Sequence, residues 1–303
     1  MVKKSSKINW GYAVFLLPGL IGLVVIIILP FMITIAASFT KWNGVNPPTW
    51  IGLDNYQRAI SDLKFWAAFR NNLVMIIAVT IIPTILGLLL STFLFDYFAK
   101  KFGSRFSNFW KAVLYIPQIL PAAIAGVIWR WILNPNFGSL NATLNAIGLS
   151  SLAQNWLGDP NTALPAVMVI MIWFQIGYPL VIFMAALQRV DPELLEASEI
   201  DGATWLQKFY FITIPQIRPE IFVVVLTTTI FALKLFGQIY VLTRGGPGSA
   251  TIVPSYYTYQ ALFEQANVGY GSTIATVMTI IILLLTYAFI RIQVQQNFSR
   301  EGV

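Results

Sequence analysis

The sequence contains no cysteine and no histidine, and it has few charged residues for its length. Without these two residue types the chain has no disulfide, no thiolate nucleophile, no imidazole base and no zinc site of the Cys or His type. Charged residues make up 10% of the 303 residues, whereas hydrophobic residues make up 57%. Because a soluble domain has about 25% charged residues, this sequence could not cover a water-facing surface. It therefore predicts a membrane protein.

The sequence has long apolar stretches, and six of them are long enough to cross a bilayer as helices. A membrane-spanning helix needs about 20 predominantly apolar residues. The fifth stretch contains one charge near its end, Lys234. We predict an all-α polytopic membrane protein whose residues 1–303 form one transmembrane domain, with spans at residues 12–39, 72–96, 112–133, 163–187, 221–242 and 270–291.

The stretch after the third predicted span, residues 134–158, is also uncharged, but it is rich in asparagine. Amide side chains and irregular backbone are too costly in hydrocarbon for such a stretch to cross the membrane. We expect it to lie outside the membrane, with a short surface helix at residues 140–147.

The orientation of the spans follows from the distribution of Lys and Arg. One side of the predicted membrane collects twelve of these residues, and the other side collects five. The side with more positive charge is usually cytoplasmic. We therefore expect a multi-pass protein with both termini in the cytoplasm.

Residues 189–219, between the fourth and fifth predicted spans, carry an unusual concentration of acids. Five of the twelve acidic residues in the sequence fall between Asp191 and Asp201. Asp191 and Pro192 are typical of a helix start, and Gly202 is typical of the position just past a helix end. The segment predicts a helix, a glycine turn and a second helix. From composition alone it could be a wet surface hairpin or a docking element.

The residues of this segment resemble the EAA loop of ABC importer permeases. That loop runs E-A-A, three residues and then G, which residues 196–202 (EASEIDG) follow with serine in place of the second alanine. Other strings occur in matching order along nearly the whole chain, including residues 52–56 (GLDNY), 115–117 (YIP) and 240–247 (YVLTRGGP). The chain resembles the six-span, maltose-permease-like branch of the carbohydrate importers.

The resemblance implies a type I ABC importer permease in the bacterial cytoplasmic membrane. In that family the loop inserts into a cleft of a cytoplasmic ATPase subunit, and the matching residues here are Glu196, Ala197, Ser198, Asp201 and Gly202. The implied partners are a second homologous permease, two ATPase subunits, an extracytoplasmic sugar-binding protein and a carbohydrate. The sequence has no G-x-x-x-x-G-K-[ST] motif, so we expect the chain itself to bind no ATP or other cofactor and to be no enzyme.

The same resemblance implies that the fourth and fifth spans hold the substrate. On one continuous helix, residues 227, 231, 234 and 238 would form a single stripe. Polar groups inside spans usually face the protein interior. Lys234 either faces this path or reaches the outer interface. The expected path residues are Gln175, Gly177, Tyr178, Thr227, Thr228, Phe231, Lys234 and Gln238.

An ion-coupled secondary transporter of a small polar solute is the alternative function. Such a protein is expected to carry carboxylates within its spans and often a paired repeat. The acids of this sequence avoid the centres of the predicted spans, and no repeat is visible.

Overall fold

The computed structural model describes residues 10–301 of the chain. The N-terminal segment predicted to be cytoplasmic, with Lys3, Lys4 and Lys7, lies outside the described residues. Nearly all regular structure is helical, and the prediction of an all-α polytopic protein is confirmed. The α-helices, in chain order, are α1 (Trp10–Leu23), α2 (Leu29–Ser38), α3 (Asp54–Ser61), α4 (Leu63–Ile76), α5 (Ile82–Thr92), α6 (Ala99–Phe102), α7 (Ser104–Ile119), α8 (Ala122–Ile132), α9 (Ser139–Ala146), α10 (Ala163–Gln175), α11 (Gly177–Leu187), α12 (Pro192–Ile200), α13 (Trp205–Lys208), α14 (Ile214–Gln216), α15 (Arg218–Leu233), α16 (Gly237–Leu242), α17 (Pro254–Tyr259) and α18 (Val268–Glu301).

Shorter segments join several of these helices. A 3₁₀ turn lies at Ser150–Leu152, and two short strands, β1 (Thr40–Lys41) and β2 (Thr49–Trp50), pair antiparallel. Because π-helical turns continue the helical path, α1 and α2 run on as one helix, and so do α4 and α5. The π-helical turns are Val24–Ile28, Ile77–Ile81, Phe93–Phe98, Phe209–Thr213 and Gln260–Glu264.

Among residues 10–301, four continuous helices are long and apolar enough to cross a membrane. They are Val14–Ser38, Leu63–Phe98, Ala163–Leu187 and Val268–Gln293. Two bent helix pairs, α7 with α8 and the segment Trp205–Gln216 with α15, raise the number to six if each pair is one span. The expected surface helix after the third span is α9.

Where the sequence predicts one domain, the described residues group into two compact units. The first comprises residues 10–61 and 258–277, and the second comprises residues 62–257 and 278–301. In the first unit, the Asn55 amide donates hydrogen bonds to the carbonyls of Ser38 and Thr40, both at 2.9 Å. The Arg58 guanidinium lies 3.9 Å from the centre of the buried Tyr270 ring. These contacts join the end of α2 and the β1–β2 hairpin to α3, and α3 to the start of α18.

The predicted third span is not one continuous helix, because α7 and α8 meet at an angle of 97°. Leu120 lies between them with extended backbone, φ −66° and ψ 132°. Pro121 explains this conformation, since its ring disfavours the helical region for the residue before it. The sharp bend therefore follows from a local sequence feature.

The predicted fifth span also breaks, at a place where the sequence has no proline. Helix α15 ends at Leu233, Lys234 is its C-cap, and α16 begins only at Gly237. The interpretation of residues 227–238 as one helical stripe is therefore wrong, since Gln238 lies on a different helix from Thr227. Apolar periodicity does not reveal the break, because side chains from elsewhere in the fold bond the carbonyls near it.

Glycines allow the central helices of the second unit to pack at close distance. A Cβ at Gly87 on α5 would lie 2.6 Å from the Pro179 side chain and 3.0 Å from the Leu180 nitrogen on α11. A Cβ at Gly177 would lie 2.7 Å from the Leu114 carbonyl oxygen on α7. Small residues at such crossings are what lets membrane helices associate. Helix α11 therefore packs against both α5 and α7 without intervening side chains.

Substituting Gly87 by valine should destabilise the protein. The new side chain would push α5 from α11, and overpacking of this kind costs about 1–3 kcal/mol. Thermal unfolding of the purified protein in detergent should occur at a lower temperature. Gly19→Val is the matched control, because a Cβ there meets nothing within 4 Å. Equal thermal stability of the two variants would contradict the close-packing interpretation.

Candidate functional site

The predicted helix–glycine turn–helix is present at residues 191–216. The Asp191 carboxylate caps α12 by accepting a hydrogen bond from the Glu193 nitrogen at 2.9 Å. At the other end Gly202 has φ +74°. The Ala203 nitrogen donates to the Ser198 carbonyl at 2.9 Å, and the Gly202 nitrogen donates to the Glu199 carbonyl at 3.1 Å. This pair of bonds is the Schellman motif, whose left-handed residue is usually glycine.

The five residues predicted to dock lie on α12 and its C-terminal turn. Ser198 is half-buried, and its hydroxyl donates to the Leu195 carbonyl at 2.7 Å. A Cβ at Gly202 would meet no atom within 4 Å, so nothing else in the described chain covers this turn. The exposed members are Glu196, Ala197, Asp201 and Gly202.

Large apolar side chains are exposed beside these carboxylates. Ile200 is 88% exposed, Leu206 is 68% exposed and Phe211 is 72% exposed. Uncovered apolar side chains of this size mark a surface that contacts a partner protein or the membrane.

The two ends of this segment are joined to each other and to the spans. Arg189 forms an ion pair with Glu220. The Asp191 nitrogen donates to the Gln216 side-chain oxygen at 3.0 Å. Leu195 on α12 packs against an apolar cluster contributed by α11, α15 and the residues beside them, namely Phe183, Ala186, Leu187, Val190, Ile217 and Val224. Since a close-packed cluster transmits displacement, α12 is mechanically connected to α11 and α15.

A small cavity of about 170 Å³, lined by both polar and apolar side chains, lies beside the segment. On its wall the Lys208 ammonium is 2.7 Å from the Glu199 carboxylate. The Trp205 indole nitrogen donates to the Asp96 carboxylate at 3.4 Å. Asp96 belongs to the π-helical turn that ends the helix Leu63–Phe98. The segment therefore also contacts the end of the second span.

Two of the residues predicted for the substrate path meet between the fourth and fifth spans. The hydroxyls of Tyr178 on α11 and Thr227 on α15 lie 3.0 Å apart. Gln175, at the end of α10, is buried, and its side-chain oxygen has no hydrogen-bond partner in the described part of the chain. A buried polar atom without a partner is costly. Six other buried side-chain atoms of the described residues share this state, so it does not by itself single out Gln175.

The other predicted path residues are not brought together in the same way. Thr228 is buried and its hydroxyl donates to the Val224 carbonyl at 2.7 Å, so this hydroxyl is satisfied within its own helix. Phe231 is half-buried, Lys234 is exposed at the end of α15, and Gln238 is buried on α16. Gly177 serves helix packing, as described above.

The helices that follow the two breaks pack against each other. A Cβ at Gly237 would lie 3.4 Å from the Ala122 Cβ. A Cβ at Gly126 would lie only 2.6 Å from the Val241 side chain. Helices α8 and α16 therefore start close together, and the interruptions of the third and fifth spans occur at the same place. Irregular backbone at membrane depth is tolerated only where it is buried in protein or lines a cavity.

Asn71 and Asn72 have structural roles that the sequence reasoning missed. The Asn72 amide donates to the Ala232 carbonyl at 2.9 Å, in the last turn of α15 before the break. The Asn71 amide donates to the carbonyls of Ser249 and Ile252, both at 3.0 Å. The sequence feature that could have indicated these roles is a pair of adjacent amide side chains at the start of an apolar stretch. Both asparagines are buried and hold irregular backbone in place.

Comparisons with known proteins agree with the resemblance inferred from the motifs. The profile of a family described as "Binding-protein-dependent transport system inner membrane component" matches residues 97–298. The "Probable ABC transporter permease protein YurN" of Bacillus subtilis is 35% identical over 303 residues, which cover 100% of this chain and 99% of that protein. The "Probable starch degradation products transport system permease protein AmyD" of Thermoanaerobacterium thermosulfurigenes is 31% identical, with 99% of each chain covered.

A solved structure has the same fold. It is a chain of a bacterial alginate ABC transporter in complex with an alginate pentasaccharide-bound periplasmic protein, with a TM-score of 0.79 over 93% of both chains and 22% sequence identity. At this identity the likeness concerns the fold alone. The predicted resemblance to ABC importer permeases is confirmed by the family profile and by the relatives. The chain belongs to the family of inner membrane components of binding-protein-dependent transport systems and is a multi-pass membrane protein.

Proposed function

We propose that the chain is a permease subunit of an ATP-driven importer that receives a carbohydrate from an extracytoplasmic binding protein. The family supports the importer class, and the carbohydrate is supported by the starch degradation products named for a relative that is 31% identical. In this proposal both termini lie in the cytoplasm, and residues 189–219 face the same side.

The observation that carries the proposal is the exposed turn at Gly202. Its uncovered apolar and acidic surface is suited to a groove of a partner protein, with carboxylates meeting basic side chains at the rim. Because α12 is joined to α11 and α15, a partner that moves α12 displaces both of these helices. The partner is an ATPase subunit, so the proposed role of this chain is to receive the motion of ATP hydrolysis without binding ATP.

The displacement reaches the proposed substrate path through the same helices. Tyr178 lies on α11 and Thr227 lies on α15, and their hydroxyl contact changes if the two helices separate. Gln175, at the end of α10, offers a carbonyl oxygen that accepts a bond from a sugar hydroxyl. The breaks before α8 and α16 supply backbone groups at membrane depth, as in other transporters whose broken helices line the path.

The assembly requires further subunits. Only 6% of the most apolar window of the helix Val14–Ser38 is buried within the described chain. We propose that this helix faces lipid and a second, homologous permease subunit. Two ATPase subunits and the binding protein complete the importer.

An ion-coupled secondary transporter is not favoured, because the family depends on a binding protein. The two functions differ in their energy source, which uptake of labelled sugar by intact cells can measure. We expect uptake to stop when ATP is depleted and to persist with a protonophore while ATP is maintained. Uptake that survives ATP depletion but stops with the protonophore would contradict the proposal.

Substituting Gly202 by valine should uncouple ATP hydrolysis from transport. A β-branched residue in the left-handed conformation strains the turn by about 1–2 kcal/mol. The surface presented to the ATPase should change shape, although a side chain at this position meets no other atom of the described chain. We expect transport to fall to background and ATPase activity to stop responding to the loaded binding protein, measured in proteoliposomes with the complete importer.

Gly148→Val is the matched control for this experiment. Gly148 has φ +81°, a Cβ there meets nothing within 4 Å, and its nitrogen and that of Leu149 form the same pair of bonds at the end of α9. The control has the same backbone strain in a turn outside residues 189–219, which we call the coupling segment, and it should transport normally. If Gly202→Val also transported normally, the coupling role would be wrong.

Substituting Tyr178 by phenylalanine should weaken substrate binding in the path. Loss of one hydrogen bond of about 0.5–1.5 kcal/mol raises the KM for transport about two- to tenfold, while stimulation of the ATPase by the binding protein persists. Tyr287→Phe removes a hydroxyl that only contacts Arg291 in the described chain, on an exposed face of α18, and should leave the KM unchanged. An unchanged KM in Tyr178→Phe would remove this residue from the path.

A further inference from the structure

An exposed patch of aromatic and basic residues lies at residues 93–111, where the second span ends and the third begins. We call it the aromatic–basic patch. Phe102 is 52% exposed, Phe109 is 58% exposed and Tyr97 is 48% exposed, and Phe93, Phe106 and Trp110 are also exposed. The described chain does not cover these rings, and so many uncovered aromatic side chains mark a contact surface.

The patch has an ordered structure. Gly103, at φ +84°, turns the chain between α6 and α7. The buried Ser107 hydroxyl then donates to the Leu94 carbonyl at 3.1 Å and ties α7 to the end of the second span. The rings of Phe98 and Phe106 stack at 5.6 Å across the turn with an interplanar angle of 8°. The exposed rings of the patch are therefore held in place by ordered contacts beneath them.

Positive charge accompanies the rings. Residues 93–111 contain four basic residues and one acid, a net charge of +3 from the sequence. The Lys101 ammonium lies 2.9 Å from the Tyr97 hydroxyl and 5.4 Å from the centre of the Phe102 ring. Lys101 and Arg105 are both exposed and stand two residues to either side of Gly103. Asp96, the one acid, contacts Trp205 of the coupling segment.

We propose that the aromatic–basic patch binds an anionic phospholipid, with Lys101 and Arg105 on the phosphate and with Phe102, Phe106 and Phe109 against the glycerol and upper acyl region. The patch begins at the end of one apolar span and ends where the next begins, which places it at the boundary between headgroups and hydrocarbon. Aromatic rings with flanking Lys and Arg are the side chains that favour this boundary, and clustered positive charge there selects anionic lipids.

The proposal concerns lipid contact and does not depend on which solute the protein transports. An acidic protein surface is the competing occupant, but the position of the rings at the ends of two apolar spans favours lipid. Lipid binding next to the coupling segment would set the depth of α7 in the membrane.

The test is native mass spectrometry of the purified full chain in detergent, titrated with palmitoyl-oleoyl phosphatidylglycerol or, separately, phosphatidylcholine. The wild type should retain phosphatidylglycerol in preference to phosphatidylcholine. In Lys101→Gln/Arg105→Gln we expect apparent affinity for phosphatidylglycerol to fall by about 25-fold, at about fivefold for each charge. Affinity for phosphatidylcholine should stay the same.

Two further variants separate the patch from a general effect of charge or of folding. Lys41→Gln/Arg130→Gln removes two exposed charges on the opposite predicted side and should retain the wild-type affinity. Lys101→Arg/Arg105→Lys keeps the charge and should also retain it. The proposal is overturned if the wild type shows no preference for phosphatidylglycerol, if both glutamine pairs lose affinity equally, or if Lys101→Gln/Arg105→Gln keeps the wild-type affinity.

Discussion

The rest of this structure depends on one constraint, which is that backbone groups inside a bilayer cannot form hydrogen bonds with water. In a bilayer each carbonyl and amide must find a partner within the protein. Where the fifth span breaks, the Asn72 amide bonds the Ala232 carbonyl, and the Ser255 hydroxyl bonds the Leu235 carbonyl. These side chains allow an interruption that would otherwise be too costly. Because α8 starts beside α16, the second break lies in the same region, and irregular backbone is confined to one place.

The proposed coupling segment, residues 189–219, combines local stability with firm attachment. Its helix α12 begins at the Asp191 cap and ends in the Schellman turn at Gly202, and both features need only neighbouring residues. Its attachment needs distant ones, since Arg189 pairs with Glu220 and Leu195 packs into a cluster built from α11 and α15. A segment that is rigid within itself and fixed at its base moves with the spans it joins. A segment built in this way is better suited to transmit force than a flexible loop would be.

The scarce charges of the chain are concentrated near the ends of the spans, and their signs are separated. Acids gather on α12 and its turn, whereas bases gather in the aromatic–basic patch. The cavity bounded by Asp96 and Trp205 lies where these two regions meet. In the proposed assembly the acidic region contacts protein and the basic region contacts lipid. In that assembly, opposite charge on adjacent surfaces would disfavour an exchange of the two partners.

Composition, apolar length and motif spacing by themselves determined the helical membrane class, the approximate location of the spans, α9, and the cap and glycine turn of α12. These features depend on hydrophobicity and on residues close in sequence, so the sequence contains their physical causes. The bend at Leu120 also has a local cause in Pro121, although its angle depends on packing. Only the tertiary structure decided where the fifth span breaks, that Tyr178 meets Thr227, and that Gln238 leaves the predicted stripe. The hydrogen bonds that decide these features join residues far apart in sequence, such as Asn72 and Ala232. The periodicity of apolar residues therefore cannot predict them.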